Sequence, residues 1–282
     1  MRGLKKWMAG AFAAVMAQSV LAGYTWNFPE PVTPIARETL HVHNLFMIII
    51  LIIFFGVLAL MLYSFWAHRK SQGHKASSFT APRSTKQWMF VLAPFFVLLV
   101  IDYGVFGIPA YHAVKMYEDS KSDAELVVKV TGSQWMWQYE FPAEGVKYTS
   151  RLTTPREQID NKEAKGENYL LEVDNPLVLP VGKKVRFITT SNDVIHSWWV
   201  PAFGVKRDAV PGFLREFWAT VEKTGTYRGQ CSELCGKEHA YMPIHVKVLS
   251  ETDYSAWVKT QQTQKSAQSG STQLVADASA VK

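Results

Sequence analysis

The chain has 282 residues, 48% of them hydrophobic, a mean hydropathy near zero (−0.03) and a formal charge of +6. A basic balance suggests nucleic acid or an anionic surface as partner, but from Pro109 to Lys282 there are 21 Lys/Arg against 21 Asp/Glu. The excess positive charge therefore belongs to the first third of the chain, and a nucleic-acid-binding domain is excluded.

The first element is a signal peptide over residues 1–22. Arg2, Lys5 and Lys6 precede an apolar stretch from Trp7 to Leu21, and Val20-Leu-Ala22 has the small-residue form of a cleavage site. Residues 23–43 are then an extracytoplasmic N-terminal segment. A charge-free run over 44–66 follows, which as a helix spans about 34 Å and crosses a bilayer core. The loop 67–87 carries Arg69, Lys70, Lys75, Arg83 and Lys86 and no acid, which holds it on the cytoplasmic side. A second apolar run, 88–108, returns the chain outward; it contains Pro94 and one acid, Asp102. An acid in a span is a functional candidate by default, although the outer position of Asp102 favours a structural role.

Beyond this hairpin, residues 109–258 form one extracytoplasmic domain. Apolar alternation and β-branched residues predict strands at 125–130, 135–141, 169–173, 184–190, 213–221 and 244–249, with turns at Asp174-Asn-Pro176, Val181-Gly-Lys183 and Thr224-Gly225. No helical period of useful length stands out. Short strands with turn signals indicate an all-β sandwich or barrel. Residues 259–282, rich in Gln, Ser, Ala and Thr, have the composition of a disordered tail.

The chemistry is concentrated in Cys231-Ser-Glu-Leu-Cys235-Gly-Lys-Glu-His239-Ala-Tyr-Met242, which holds both cysteines of the chain. On the cysteines alone a disulfide is the plain reading for an oxidising compartment. His239 and Met242 follow closely, however, and His196 lies upstream in Asn192-Asp-Val-Ile-His-Ser-Trp198. Thiolate, imidazole and thioether together favour copper; Met is a poor zinc ligand. A single blue-copper ion needs only one Cys, so the second suggests two coppers bridged by two thiolates.

Cys231 through Met242 and Pro243, with His196-Ser-Trp198, resembles the CuA loop of cytochrome c oxidase subunit II. The resemblance spans roughly residues 23–258 and includes the hairpin, Gln134-Trp-Met-Trp-Gln-Tyr-Glu140, Leu171-Glu-Val-Asp-Asn175 and Lys206-Arg-Asp-Ala-Val-Pro-Gly212. It implies a two-helix transmembrane hairpin plus an all-β cupredoxin-like Greek-key domain. The implied cofactor is a binuclear copper centre, CuA, with Cys231 and Cys235 bridging both ions. His196 and Met242 complete one copper; His239 and the backbone carbonyl of Glu233 complete the other. The carboxylate matching Glu233 reaches a magnesium or manganese ion at the interface with subunit I.

Trp135 matches the family's exposed electron-accepting tryptophan, and it alternates with Trp137 and Tyr139 so that the three should share one strand face. Glu140 and Asp193 match docking positions for the donor, cytochrome c. The other implied partners are oxidase subunits I and III, in a bacterial cytoplasmic membrane with the C-terminal domain periplasmic. The resemblance makes the chain one subunit of an oxidoreductase and translocase.

Three departures matter. Met136 stands where many relatives have another aromatic. Gln87 stands where many have the glutamate at the mouth of the K proton channel. The segment Ala143-Glu-Gly-Val-Lys147 is thin in acids, which predicts a donor that is less basic, or docking that is more apolar and less salt-dependent. Two rivals share parts of the pattern. A quinol oxidase subunit II lacks the copper ligands, and a membrane-anchored copper-delivery or thiol–disulfide protein would use the same Cys pair with labile metal. No Cys-x-x-Cys-His haem motif occurs, so the donor is a separate protein.

Overall fold

A computed structural model describes residues 27–75, 81–119 and 121–264. The expected signal peptide and most of the expected tail lie outside these residues.

Helix α1 spans Pro34–Ala67. Thr33 caps it, accepting a hydrogen bond from the Ala36 N–H at 3.0 Å, and Pro34 occupies the first turn, where its missing N–H costs nothing. The helix thus begins ten residues before the apolar run. Helix α2, Thr85–Leu99, opens on a capping box formed by Ser84 and Gln87. It runs through Pro94 into a π-helical stretch, Val100–Phe106, and on into α3, Gly107–Glu118. Together Thr85–Glu118 are as long as α1, and the most apolar stretches of both are wholly exposed. A soluble core helix would be buried, so these two faces need lipid, and the chain is a membrane protein. Asp102 lies exposed in the π-helical stretch.

The β-domain consists of two five-stranded sheets. The first has β1 (Leu126–Ser133), β2 (Met136–Phe141), β3 (Val146–Ser150), β5 (Lys184–Ser191) and β8 (Arg215–Thr220), in the order β3-β2-β1-β5-β8. The second has β4 (Leu177–Pro180), β6 (His196–Val200), β7 (Val205–Ala209), β9 (Gly225–Cys231) and β10 (Pro243–Leu249), in the order β4-β10-β9-β6-β7. β1 runs parallel to β5, and β4 parallel to β10; the other pairs are antiparallel. The chain changes sheet repeatedly, as the expected Greek-key sandwich requires. Alternate residues of both sheets fill the space between them, with Trp137, Tyr139, Phe187, Trp198 and Phe217 fully buried. Phe187 and Phe217 stack at 4.6 Å, an arrangement worth about 0.5–1.5 kcal/mol beyond the area buried.

The hairpin and the β-domain share this core. Val32, Thr33, Ile35 and Ala36 are buried against it. Val32 N–H donates to the Ala202 carbonyl (3.3 Å) and its own carbonyl accepts from Glu222 N–H (2.9 Å). Thr33 Oγ1 donates to the Phe203 carbonyl at 2.8 Å, and Arg37 pairs with Glu222 through both guanidinium nitrogens. From α3, the Met116 carbonyl accepts from Trp218 Nε1 at 2.7 Å.

Several expectations change. Residues 169–173 form turns, with only the isolated bridge Leu152–Val173, because Leu170 takes a left-handed φ of 62° that breaks an extended run. Helix α3 continues ten residues past the expected end of the second span. A helix, α4, occupies 251–264, so the first six residues assigned to the tail are helical. Its Tyr254, Trp257 and Val258 share one face and pack on the core.

Candidate metal centre

The site is assembled by strand register. β6 pairs with β9 so that Trp198 stands opposite Cys231, and this brings His196, the first residue of β6, alongside the last residue of β9. From Cys231 the chain leaves the sheet in a loop, makes a 3₁₀ turn at His239–Tyr241, and re-enters as β10. The loop ends are tied by the Cys231 N–H donating to the Met242 carbonyl at 3.0 Å.

Within that frame the two sulfurs lie 3.9 Å apart, and both cysteines are reduced and buried. A disulfide needs about 2.05 Å. His196 presents Nδ1 to Cys231 Sγ at 3.9 Å, and His239 presents Nδ1 to Cys235 Sγ at 3.5 Å. The Glu233 carbonyl is 3.4 Å from Cys231 Sγ. Met242 is 1% exposed. The ligating atoms of His196, Cys231 and Cys235 all lie within 4.8 Å of one another. A soft metal ion bonds thiolate at about 2.3 Å, so two sulfurs at this separation can share one. The donor set fits copper: two thiolates, two imidazoles, a thioether and a carbonyl.

His196 is prepared as a ligand. Its ring is fully buried, and Nε2 lies 2.9 Å from Asp193 Oδ1, which fixes the proton on Nε2 and leaves Nδ1 facing the sulfurs. Gly132 of β1 makes room for it, since a Cβ there would stand 2.8 Å from His196 Cδ2. Burial raises the Cys231 thiol, but hydrogen bonds from His196 and from the backbone outweigh it and bring the group down to about 7. Burial and then the neighbouring Cys231 thiolate push Cys235 up to about 12. Without metal the pair therefore gives up its two protons in well-separated steps.

The other predicted residues are placed as follows. Trp135 precedes β2 instead of lying in it, so it leaves the buried face of Trp137 and Tyr139 and sits half-buried beneath the metal loop. Its Nε1 donates to the Cys235 carbonyl at 3.3 Å. Gly236 allows this approach, because a Cβ there would stand 3.3 Å from the Trp135 ring. The Glu233 side chain points into an exposed cavity of about 330 Å³ lined by Lys206, Arg207, Asp208 and Arg215. Glu140 lies at the far end of β2, about 17 Å along the strand from Trp135, paired with Lys147 at 3.4 Å. Asp193 is committed to His196 and to neighbouring amides. Gly132, Gln134 and Gly236 are not singled out by the sequence; the glycine and the glutamine just ahead of the aromatic run are the available signal.

A family model described as the periplasmic domain of cytochrome c oxidase subunit II matches residues 126–249, and one for its transmembrane domain matches residues 22–108. Cytochrome c oxidase subunit 2 of Cereibacter sphaeroides is 37% identical over 246 residues, covering 83% of this chain and 79% of the relative. The Arabidopsis thaliana subunit 2 is 35% identical over 237 residues, covering 83% and 88%. Among solved structures, the periplasmic domain of subunit II of cytochrome oxidase from Bradyrhizobium japonicum shares 42% identity; the match covers 50% of this chain and 96% of that one, with a TM-score of 0.45.

Proposed function

We propose that this chain, which belongs to the cytochrome c oxidase subunit II family, accepts single electrons from cytochrome c and hands them to haem in subunit I, where oxygen is reduced to water. The observation that carries this reading is the convergence of two reduced, buried cysteines and His196, with His239 Nδ1 at 3.5 Å from Cys235 Sγ beside them. The ligands are His196, Cys231, the Glu233 carbonyl, Cys235, His239 and Met242, and the metal they hold is the binuclear copper centre CuA. Bound there, copper would supply a one-electron store.

The residues around it serve transfer and not bond chemistry. Trp135 is the point of electron arrival, and its indole N–H already meets the carbonyl of a bridging ligand. Val194 and Ile195 are exposed immediately before His196, and with Glu140 they give a donor-docking face that is mostly apolar. The Glu233 carboxylate extends to a magnesium or manganese ion whose remaining ligands come from subunit I. In this chain its neighbours are three cations and one acid, which by themselves do not make a divalent-cation cage.

The orientation follows from charge: basic residues 67–87 lie in the cytoplasm, and the β-domain lies in the periplasm of a bacterial inner membrane, after removal of residues 1–22 and alongside subunits I and III. Residues 44–66 and 88–108 cross the lipid, and α1 and α3 carry the chain beyond it. The test is an EPR spectrum of the full chain in its purified complex. A multi-line signal from one electron shared over two coppers is expected. A mononuclear copper signal, or copper that exchanges freely, would favour copper delivery or thiol exchange instead.

A further inference from the structure

Asp102 is the one charged residue in the apolar run 88–108, and electron transfer through the metal centre gives it no role. Its depth follows from the packing of the hairpin. The rings of Phe46 and Phe106 meet at 5.5 Å, so Phe106 lies level with Phe46, close to the outer end of the charge-free run that starts at Asn44. Asp102 stands a further turn inward, which puts it about 9 Å inside the apolar layer at 1.5 Å per residue. A short carboxylate does not climb that far. Each Cα–Cβ bond of a helix leans toward the N-terminus, here Thr85 at the basic loop, so Asp102 is aimed deeper into the layer and away from its nearer surface.

The backbone is shaped around this residue. Val100–Phe106 is π-helical, a form that occurs mostly as single turns and often at functional sites. Gly107 suits that turn, since a Cβ there would stand 3.1 Å from the Asp102 carbonyl oxygen. Asp102, Tyr103 and Gly104 are all exposed, and a Cβ at Gly104 would meet nothing within 4 Å, so a second chain can approach the backbone closely beside the acid. Among the described residues the Asp102 carboxylate has no hydrogen-bond or ion-pair partner. Lipid offers no donor either, and acids in spans accordingly face protein or a polar cavity.

We propose that Asp102 is the polar anchor of the face by which the second span packs on a span of the haem-bearing partner subunit, and that the partner brings a hydrogen-bond-donating side chain, basic or hydroxyl, to its depth. Family membership supplies that partner, because the relatives of this chain are subunits of an oxidase. The contact lies far from the metal loop and is independent of the copper reading. It selects one side of the hairpin: Asp102, Tyr103 and Gly104 meet protein in the complex, and lipid covers apolar faces elsewhere.

The test uses the assembled oxidase purified through a tag on this chain, with haem retained per chain as the readout. Asp102→Leu makes the span more apolar, so insertion is not impaired, but it leaves the partner's donor unpaired in apolar surroundings. The partner should then dissociate about fivefold more readily on dilution in detergent, the effect of one buried donor without an acceptor. Asp102→Asn keeps a carbonyl acceptor and should hold the partner more firmly than Asp102→Leu. Independently, a photoreactive benzophenone side chain placed at position 102 should form an adduct with another protein subunit in intact membranes. Wild-type haem retention by Asp102→Leu, or adducts with lipid alone, would overturn the proposal and make Asp102 a lipid-facing acid. Neither readout uses the copper signal, so failure of the electron-entry reading is separable.

Discussion

Replacing Gly204 with alanine tests how the β-domain is fixed to the membrane hairpin. Gly204 follows the 3₁₀ turn Pro201–Phe203 with φ of 67°, and a Cβ there would stand 2.6 Å from Ala36 Cα and 2.9 Å from Ala36 N. The left-handed backbone costs an L-residue about 1–2 kcal/mol. Forcing a methyl into the head of α1 adds about 1–3 kcal/mol, as overpacking in a close-packed core does. Gly182 supplies the control, since its φ is 78° but a Cβ there meets nothing within 4 Å. Gly182→Ala should therefore show the backbone cost alone. In a domain of this size each kcal/mol moves Tm by about 2–4 °C, so Gly204→Ala should melt about 2–12 °C below Gly182→Ala. The assay is thermal unfolding of the purified complex in detergent, followed by tryptophan fluorescence. The metal ligands are untouched, so the copper signal of Gly204→Ala should be retained while electron transfer from copper to haem slows. Equal melting of the two variants would refute the docking of Val32, Ile35 and Ala36 against the turn.

Three further outcomes follow from the site and its surroundings. Trp135→Phe removes the indole N–H that reaches Cys235 and should depress cytochrome c oxidation severely in steady-state assays while the copper signal persists; wild-type turnover would refute its role. Turnover should fall only shallowly as ionic strength rises, because Glu140 is paired with Lys147; a steep fall would point to charge-steered docking. His245 is 4% exposed on β10, beside Glu172 (3.1 Å to Nδ1) and opposite Arg228, with Lys247 nearby on its own strand. Burial lowers its folded-state value below that of the unfolded chain, so the unfolded state binds the proton first. Stability should therefore be full above the unfolded His value and fall as pH drops through about 6.5. Melts of His245→Gln between pH 7.5 and 5 should show a smaller loss than wild type.

The parts of the fold legible in the sequence were those with a strong local signal. The first span is a charge-free run, and an acid-free basic loop sets its direction. The metal loop announces itself because Cys231, Cys235 and His239 follow one another at four-residue spacing. Strands with one wet face, such as β5 with its strict alternation of burial, were also readable. Of the strands not predicted, β4 and β6 lack that contrast. β4 is four residues, all buried, ending in proline; β6 is buried at every position except Trp199. Helix α4 has its period in Tyr254, Trp257 and Val258, but a Gln- and Thr-rich composition conceals it. The Gln134 contact could not be read at all, because its partner is a backbone carbonyl 101 residues away.

That division explains why candidate donor residues stand out in a sequence while the residues that would hold them do not. A ligand is recognised by its own donor atom, whereas a supporting residue is defined by register and loop path, which only the tertiary structure sets. Here the support is extensive. His196 is held by Asp193 on one side and by the bare backbone of Gly132 on the other. Cys231 is fixed by the end of β9 and by its tie to Met242, and the Cys235 carbonyl takes two donors from the β1–β2 turn. His196, Cys231 and Cys235 are thus positioned by hydrogen bonds or packing that do not depend on metal. A centre built this way changes shape little when its charge changes, because moving any ligand would break a buried contact. For an electron carrier that rigidity is the useful property, and it comes from the sandwich and the Gln134 turn as much as from the cysteine loop.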